Sequence, residues 1–379
     1  MTSPKIKQLL TGYGFDDVTI VPGDVTINPD QIDLGFSLGE YDFSVPFVAS
    51  AVDAVVSPSF AAEMGRIGGL AILNLEGIYT RYDDPYALIQ HIIEVPQDQA
   101  TELLQRIYSS PIREDLIGKR IQEVKDKGAT CAVSMTPANT KSFSRVAAEA
   151  GADIIVVQST VTTARHISKS EKGLVLSELC SDLDVPVVVG NTVTYGATME
   201  LMETGIQGVL VGVGPGAICT TREVTGVGVP QVTATLECAA ARDEYERRTG
   251  KYIPIITDGG MRVGGDVCKA FVAGADAVML GTTFAQSEEA PGLGFNWGMA
   301  SFHAALPRGT RISVGTRGSM EQILFGPTSV TDGTQNLVGA LRSAMGMCGA
   351  AEVRDMHDAE LMIAPSVKTE GKYYQLMGR

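Results

Sequence analysis

The sequence predicts an α/β protein of the closed (β/α)8 barrel class, a TIM barrel, and three observations carry that prediction. Eight short apolar runs rich in Val and Ile recur along the chain, amphipathic segments lie between most of them, and several of those segments close with Gly or Ala-Gly just before the next run. A run too short for a core helix and too continuous for a half-exposed strand is a strand buried on both faces, as in a parallel sheet covered by helices.

In chain order the strands are expected at 47–51 (FVASA), 70–74 (LAILN), 130–135 (TCAVSM), 153–158 (DIIVVQ), 185–190 (VPVVVG), 208–212 (GVLVG), 253–258 (IPIITD) and 277–281 (AVMLG). The helices between them show at 142–150, 197–204 and 265–273, and the phrase Ala-Gly-Ala-Asp ends a helix and opens a strand twice, at Ala150-Gly151-Ala152-Asp153 and at Ala273-Gly274-Ala275-Asp276. This βα repetition favours a closed barrel. The alternative, a doubly wound open sheet, lacks the GxGxxG turn that would follow its first strand. Two segments exceed a minimal barrel: 78–128, of mixed charge and helical pattern, and 282–335, rich in Gly, Pro and Arg. Loops after strand C-termini are where barrels keep substrate contacts. The expectation is therefore one barrel domain over 1–379, with a short helical insertion and a long active-site loop.

Composition bounds the function. The 379 residues are 44% hydrophobic and 20% charged, with a formal net charge of −14. An acidic chain without a basic tract is a poor nucleic-acid binder. No apolar run approaches the ~18 residues of a membrane span, and the start has no secretory pattern, so no membrane association and a cytoplasmic location are expected. The six cysteines, at 131, 180, 219, 238, 268 and 348, are scattered without a CxxC pair. That suits reduced thiols and neither a zinc site nor a disulfide framework.

After the sixth strand comes Gly212-Val213-Gly214-Pro215-Gly216-Ala217-Ile218-Cys219-Thr220-Thr221-Arg222. Glycines in such a loop let the backbone turn its own amides or carbonyls toward a ligand. A thiol at the end of that loop, on a barrel's catalytic face, is placed as a nucleophile. The other five cysteines read as small buried hydrophobes.

This loop, with TDGGMRVGGDVCKAFVAGADAVMLG at 257–281, GFDDVTIVPG at 14–23 and LVGALRSAMGMCGA at 337–350, resembles the IMP dehydrogenase/GMP reductase family over nearly the whole chain. The resemblance implies a barrel, tetrameric or paired into octamers, that binds a purine mononucleotide and a nicotinamide cofactor. In the dehydrogenase reading, Cys219 attacks C2 of IMP, NAD takes the hydride, and water releases XMP. In the reductase reading, Cys219 attacks C2 of GMP, ammonia leaves, and NADPH returns the hydride. Thr221 matches the position that places water or ammonia.

The resemblance also assigns the binding groups. Asp258, before Gly259 and Gly260, matches the ribose carboxylate; Gly260, Gly281 and Thr282 match the phosphate cradle, with Gly216 and Ser50 near the nucleotide. Asn74 and Asn191 match positions near base and nicotinamide. Backbone carbonyls of Gly212, Gly214 and Cys219 match a site for K+ or another monovalent cation.

Several positions depart from the family pattern. The 78–128 segment is far too short for the paired regulatory (CBS) module often found there. The usual Arg-Tyr pair of the mobile flap is absent, leaving Arg308, Arg311, Arg317 and Glu321 as candidate substitutes. Ala217 stands for a phosphate-binding serine, Val52 for a methionine beneath the base, and Gln158-Ser159 for an aspartate on the cofactor ribose. These features are closest to the short IMP dehydrogenase-related proteins of cyanobacteria and actinobacteria, although the basic opening common there is missing. Dehydrogenase is the first expectation, reductase the second, and a non-catalytic purine-nucleotide binder the third.

Overall fold

The computed structural model describes residues 8–167, 173–298 and 309–365. Eight parallel strands close into a barrel: β1 (Phe47–Ala49), β2 (Leu70–Asn74), β3 (Ala132–Met135), β4 (Ile154–Gln158), β5 (Val187–Thr192), β6 (Gly208–Val211), β7 (Ile255–Asp258) and β8 (Ala277–Leu280). Each pairs with its successor, and β8 returns to β1 with Val278 opposite Phe47. All eight expected strands are present. Four begin one or two residues later than the apolar runs, and in two of these, β5 and β7, Pro186 and Pro254 have no N–H for the ladder; their carbonyls instead accept Ile155 N and Val209 N at 3.0 Å each.

The continuous apolar runs have a direct cause in the barrel's two cores. Alternate residues such as Val48, Ile72, Ile154, Val156 and Val188 fill the barrel interior. Their neighbours, including Phe47, Leu73, Ile155, Val157 and Val189, face the surrounding helices. A residue fully buried on either face, such as Leu73, stabilises the fold by ~1.5–3 kcal/mol relative to exposure. A hairpin of Phe36–Leu38 and Tyr41–Phe43 plugs the end where the strands begin. Its Leu38, Phe36 and Phe43 join the inner cluster, and the Phe36 and Phe43 rings stack at 5.0 Å. The opposite mouth is left for loops, which is where the glycine-rich segments converge.

Helices cover the outside, each started by local chemistry. Ser57 caps α1 (Pro58–Arg66) through the Phe60 amide, and Asp84 caps α2 (Pro85–Glu94) with Pro85 at its first turn. The 78–128 insertion is α2, α3 (Gln97–Tyr108) and α4 (Glu114–Lys125). Arg120, 4% exposed on α4, docks this insertion by donating to the carbonyls of Tyr79, Tyr82 and Asp83. After β8 a second hairpin forms, Phe295–Trp297 against Arg311–Ser313. Strand Val18–Ile20 pairs antiparallel with Leu361–Ile363, bringing the two ends of the described chain together. Among the described residues no helix is long and apolar enough to cross a membrane.

Candidate active site

The loops at the C-terminal ends of the strands enclose a cleft of about 780 Å³, the scale of a small-molecule site. Its wall includes Ser50, Asn74, Gln158, Ser159, Asn191, Gly212, Gly214, Gly216, Cys219, Asp258, Gly259, Gly260, Gly281 and Thr282. These sequence-predicted residues follow or end every strand except β3, and the fold gathers them at one mouth. Val52 and Ala217 are also there.

The Cys219 loop is held from beneath. Gly212 has φ +147° and packs so close to the Asp258 carbonyl that a Cβ would lie 2.5 Å from it, so only glycine fits. Gln231 ties the ends of β6 and β7 by donating to Val211 O at 2.7 Å and Asp258 O at 3.0 Å. Arg222 braces the loop through Val213 O and Val229 O. Cys219 Sγ donates to Thr221 Oγ1 at 3.2 Å. Burial pushes the thiols of Cys131, Cys238 and Cys268 up to about 12, which makes them poor nucleophiles at neutral pH. Cys180 and Cys348 differ from the expectation of full burial, since both are partly exposed.

Asp258 is the electrostatic centre of the cleft. Its Oδ2 accepts Asn191 Nδ2 at 2.8 Å and Gln158 Nε2 at 3.2 Å, and Gln158 Nε2 also donates to Asn191 Oδ1 at 3.1 Å. Burial raises Asp258 to about 6, against the lowering effect of the Asn191 amide. Gln158 therefore spends its amide on this cluster. Gly259 and Gly260 follow with φ of +81° and +83°, a left-handed pair that side-chain-bearing residues rarely adopt. With Gly281 and Thr282 they form a glycine-rich wall beyond β7 and β8, the place where barrels bind phosphate.

The four candidate substitutes for the flap pair separate cleanly. Arg308 lies outside the described residues. Glu321 is not in the cleft: the Ser319–Gln322 capping box fixes a short helix, Met320–Leu324, that buries Met320, Ile323 and Leu324 and leaves Glu321 exposed. Its charge acts on Arg66, at the end of α1. Arg311 is 4% exposed and structural, donating to the carbonyls of Ile92 and Ile93 and to Gln97. Arg317 does line the cleft, held by Asp332 Oδ2 at 3.3 Å and Thr334 Oγ1 at 2.8 Å.

Other cleft residues carry no signal in the sequence. Glu76, Ser134, Thr136, Gln286 and Asn296 line it, yet nothing in their local sequence marks them, and only closure of the barrel brings them to the mouth. Among the described residues no group of three or more His, Cys, Asp or Glu side chains is placed to hold a metal ion.

Comparison with known proteins agrees with this geometry. Residues 12–371 match the family model for the IMP dehydrogenase/GMP reductase domain. An uncharacterised oxidoreductase of Mycolicibacterium smegmatis is 38% identical over 360 residues, covering 93% of this chain and 96% of the relative. The inosine-5'-monophosphate dehydrogenase of Cryptosporidium parvum is 30% identical over 395 residues, covering 92% and 91%. A crystal structure of an IMP dehydrogenase/GMP reductase-like protein from Corynebacterium glutamicum superposes with a TM-score of 0.89 at 34% identity, covering 96% of this chain and 97% of that one. A barrel with a cysteine-bearing glycine loop after β6, a half-buried carboxylate at the end of β7 and a full-length family match identifies the chain as an oxidoreductase that belongs to the IMP dehydrogenase/GMP reductase family.

Proposed function

We propose that the protein is an IMP dehydrogenase, oxidising IMP to XMP with NAD through a covalent bond between Cys219 and C2 of the purine. The observation that carries this reading is that Cys219, hydrogen-bonded to Thr221 behind it, lines the same cleft as the Asp258–Asn191–Gln158 cluster. A site that only bound nucleotide would need the carboxylate and the glycine wall but no positioned thiol.

The cleft is large enough for two ligands side by side, and its residues fit them. Asp258, ionised, accepts the two ribose hydroxyls of the mononucleotide, and the amides beyond β7 and β8 face its phosphate. The S–H bond of Cys219 breaks, its proton passing through the Thr221 hydroxyl to solvent, and the sulfur bonds to C2. NAD, when bound, supplies the acceptor for the hydride that leaves C2. The resulting thioimidate takes up water, the C2–S bond breaks, the thiol recovers a proton, and XMP departs. Arg317, charged and fixed by Asp332 and Thr334, is the candidate for orienting that water.

A second reading, GMP reductase with NADPH, is favoured by one fact: the chain has no Arg-Tyr pair in 282–335, and a reaction that expels ammonia needs no activated water. Two assays separate the readings, IMP with NAD and GMP with NADPH, each followed by nicotinamide absorbance. Turnover with IMP and NAD is expected. Cys219→Ala should abolish it while IMP binding, measured by calorimetry, persists. Turnover that survives this substitution would refute the covalent route. The same proposal includes a homotetramer and a monovalent cation on the carbonyls of Gly212, Gly214 and Cys219, so that replacing K+ by a bulky organic cation lowers the rate.

A further inference from the structure

The cleft divides by chemistry into two halves. Over β6, β7 and β8 lie Cys219, Asp258 and the glycine wall, along with Arg262 and Arg317, the only two cationic lining residues among those described. The half over β2, β3 and β4 has no Lys, Arg or His in its described wall. Its one acidic side chain is Glu76.

Glu76 is 5% exposed yet lines the cleft. Its main chain is locked, with N donating to Asn74 Oδ1 at 3.0 Å and O accepting Arg81 Nε at 3.0 Å. Its Oε1 accepts the Thr136 amide at 2.5 Å, and among the described residues Oε2 has no hydrogen-bond partner. Arg81 sits behind it, outside the cleft wall, with its donors turned to the carbonyls of Glu76 and Ser110. That oxygen keeps its acceptor capacity for a donor that enters the cleft. Where the family resemblance implies an aspartate on the cofactor ribose, this chain has Gln158, which is neutral and committed to Asn191 and Asp258.

We propose that Glu76 fills this role. Its free oxygen accepts a ribose hydroxyl of the nicotinamide dinucleotide and repels a phosphorylated ribose, which makes the protein selective for NAD over NADP. The inference rests on reading the cleft as a joint site for a purine nucleotide and a nicotinamide dinucleotide. A dianionic phosphate brought into this half would meet a carboxylate in the cleft wall, where Arg81, the cation coupled to Glu76, lies outside that wall with its donors on backbone carbonyls and no other cation lines this half among the described residues.

Direct binding of NADH and NADPH, followed by fluorescence titration, tests this without any need for turnover. The native protein should bind NADH at least about tenfold tighter than NADPH, and Glu76→Gln should bring the two affinities within about threefold of each other. Glu76→Gln keeps an acceptor for the Thr136 amide, and an unchanged melting temperature confirms that the fold is intact. Glu76→Asp, which retains the charge, should keep a preference for NADH. A ratio identical in the native protein and Glu76→Gln, equal affinity of the native protein for both dinucleotides, or binding of neither overturns the proposal. The two readings fail separately. Turnover of IMP with an unmoved ratio removes only the role of Glu76, and the expected ratio without turnover of IMP or GMP removes only the reaction.

Discussion

Asp258 shows how burial and function oppose each other at one residue. Its carboxyl is raised from 3.8 to about 6 by burial, although Asn191 pulls it the other way. The folded state therefore holds the proton more tightly than the unfolded chain, and stability falls as pH rises from about 4 to about 6, levelling off above. Ribose recognition runs in the opposite direction, since the hydroxyls need an ionised acceptor. IMP affinity should rise with pH through about 6 in the native protein. The nucleotide's own phosphate titrates near pH 6 as well, so the decisive quantity is the difference between the native protein and Asp258→Asn. That variant should bind IMP ~10–100-fold more weakly at pH 8, from the loss of a charge-assisted hydrogen bond, and the gap should narrow at pH 5. Calorimetry across that range checks it; a gap independent of pH would mean that Asp258 binds through shape alone.

At the scale of elements, α3 is the brace of the active-site mouth. Tyr108 Oη donates to Asp53 Oδ2 at 2.5 Å and accepts Trp297 Nε1 at 3.3 Å. Further along the helix, Thr101 donates to Gly309 O and Gln97 exchanges hydrogen bonds with Arg311. One helix thus fixes both strands of the hairpin Phe295–Trp297 and Arg311–Ser313, whose Asn296 lines the cleft. Asp53 sits just past the cleft residues Ser50 and Val52, is 1% exposed, and is raised by burial to about 6, with the Tyr108 and Ile78 hydrogen bonds lowering it. Its Oδ1 has no partner among the described residues. Tyr108→Phe removes a donor from this carboxylate, so the ionised form suffers most. The loss of stability should reach about 1–3 kcal/mol at pH 8 and shrink at pH 5, where Asp53 is protonated. Thermal unfolding at the two pH values tests this, and an equal loss at both would show that the hydroxyl acts only on Trp297.

The same elements show what a sequence reveals. The barrel strands were legible because burial on both faces imposes a continuous apolar run, a purely local signature; proline shifted two of their starts, at Pro186 and Pro254. Cys219 was marked by the glycine-rich loop that holds it, and Asp258 by the resemblance of its Asp-Gly-Gly stretch to the family pattern. Asp53, Tyr108 and Trp297 were not, because they lie 55 and 189 positions apart and meet only when α3 docks. Glu76 was hidden for the same reason. Nothing in Leu73-Asn74-Leu75-Glu76-Gly77 separates a cleft carboxylate from a turn residue until β2 and β3 place it beside Thr136.

For the whole molecule, the proposed function sets an anionic nucleotide against a chain of formal charge −14. Local chemistry in the cleft and the long-range field act in opposite senses. Arg262 is tied to Asp16 and Asp266, and Arg317 to Asp332, so neither projects an uncompensated positive field. Phosphate recognition then depends on short-range backbone amides of the glycine wall, while approach is opposed by the overall negative charge. Salt screens the second effect over a Debye length of ~10 Å at 0.1 M and hardly touches the first. The association rate of IMP should therefore increase as ionic strength is raised from about 10 to about 150 mM, whereas that of uncharged inosine should stay flat. Stopped-flow measurements with both ligands decide it. A rate for IMP that fell with added salt would mean that the mouth of the barrel, despite its paired arginines, steers anions by a positive field of its own.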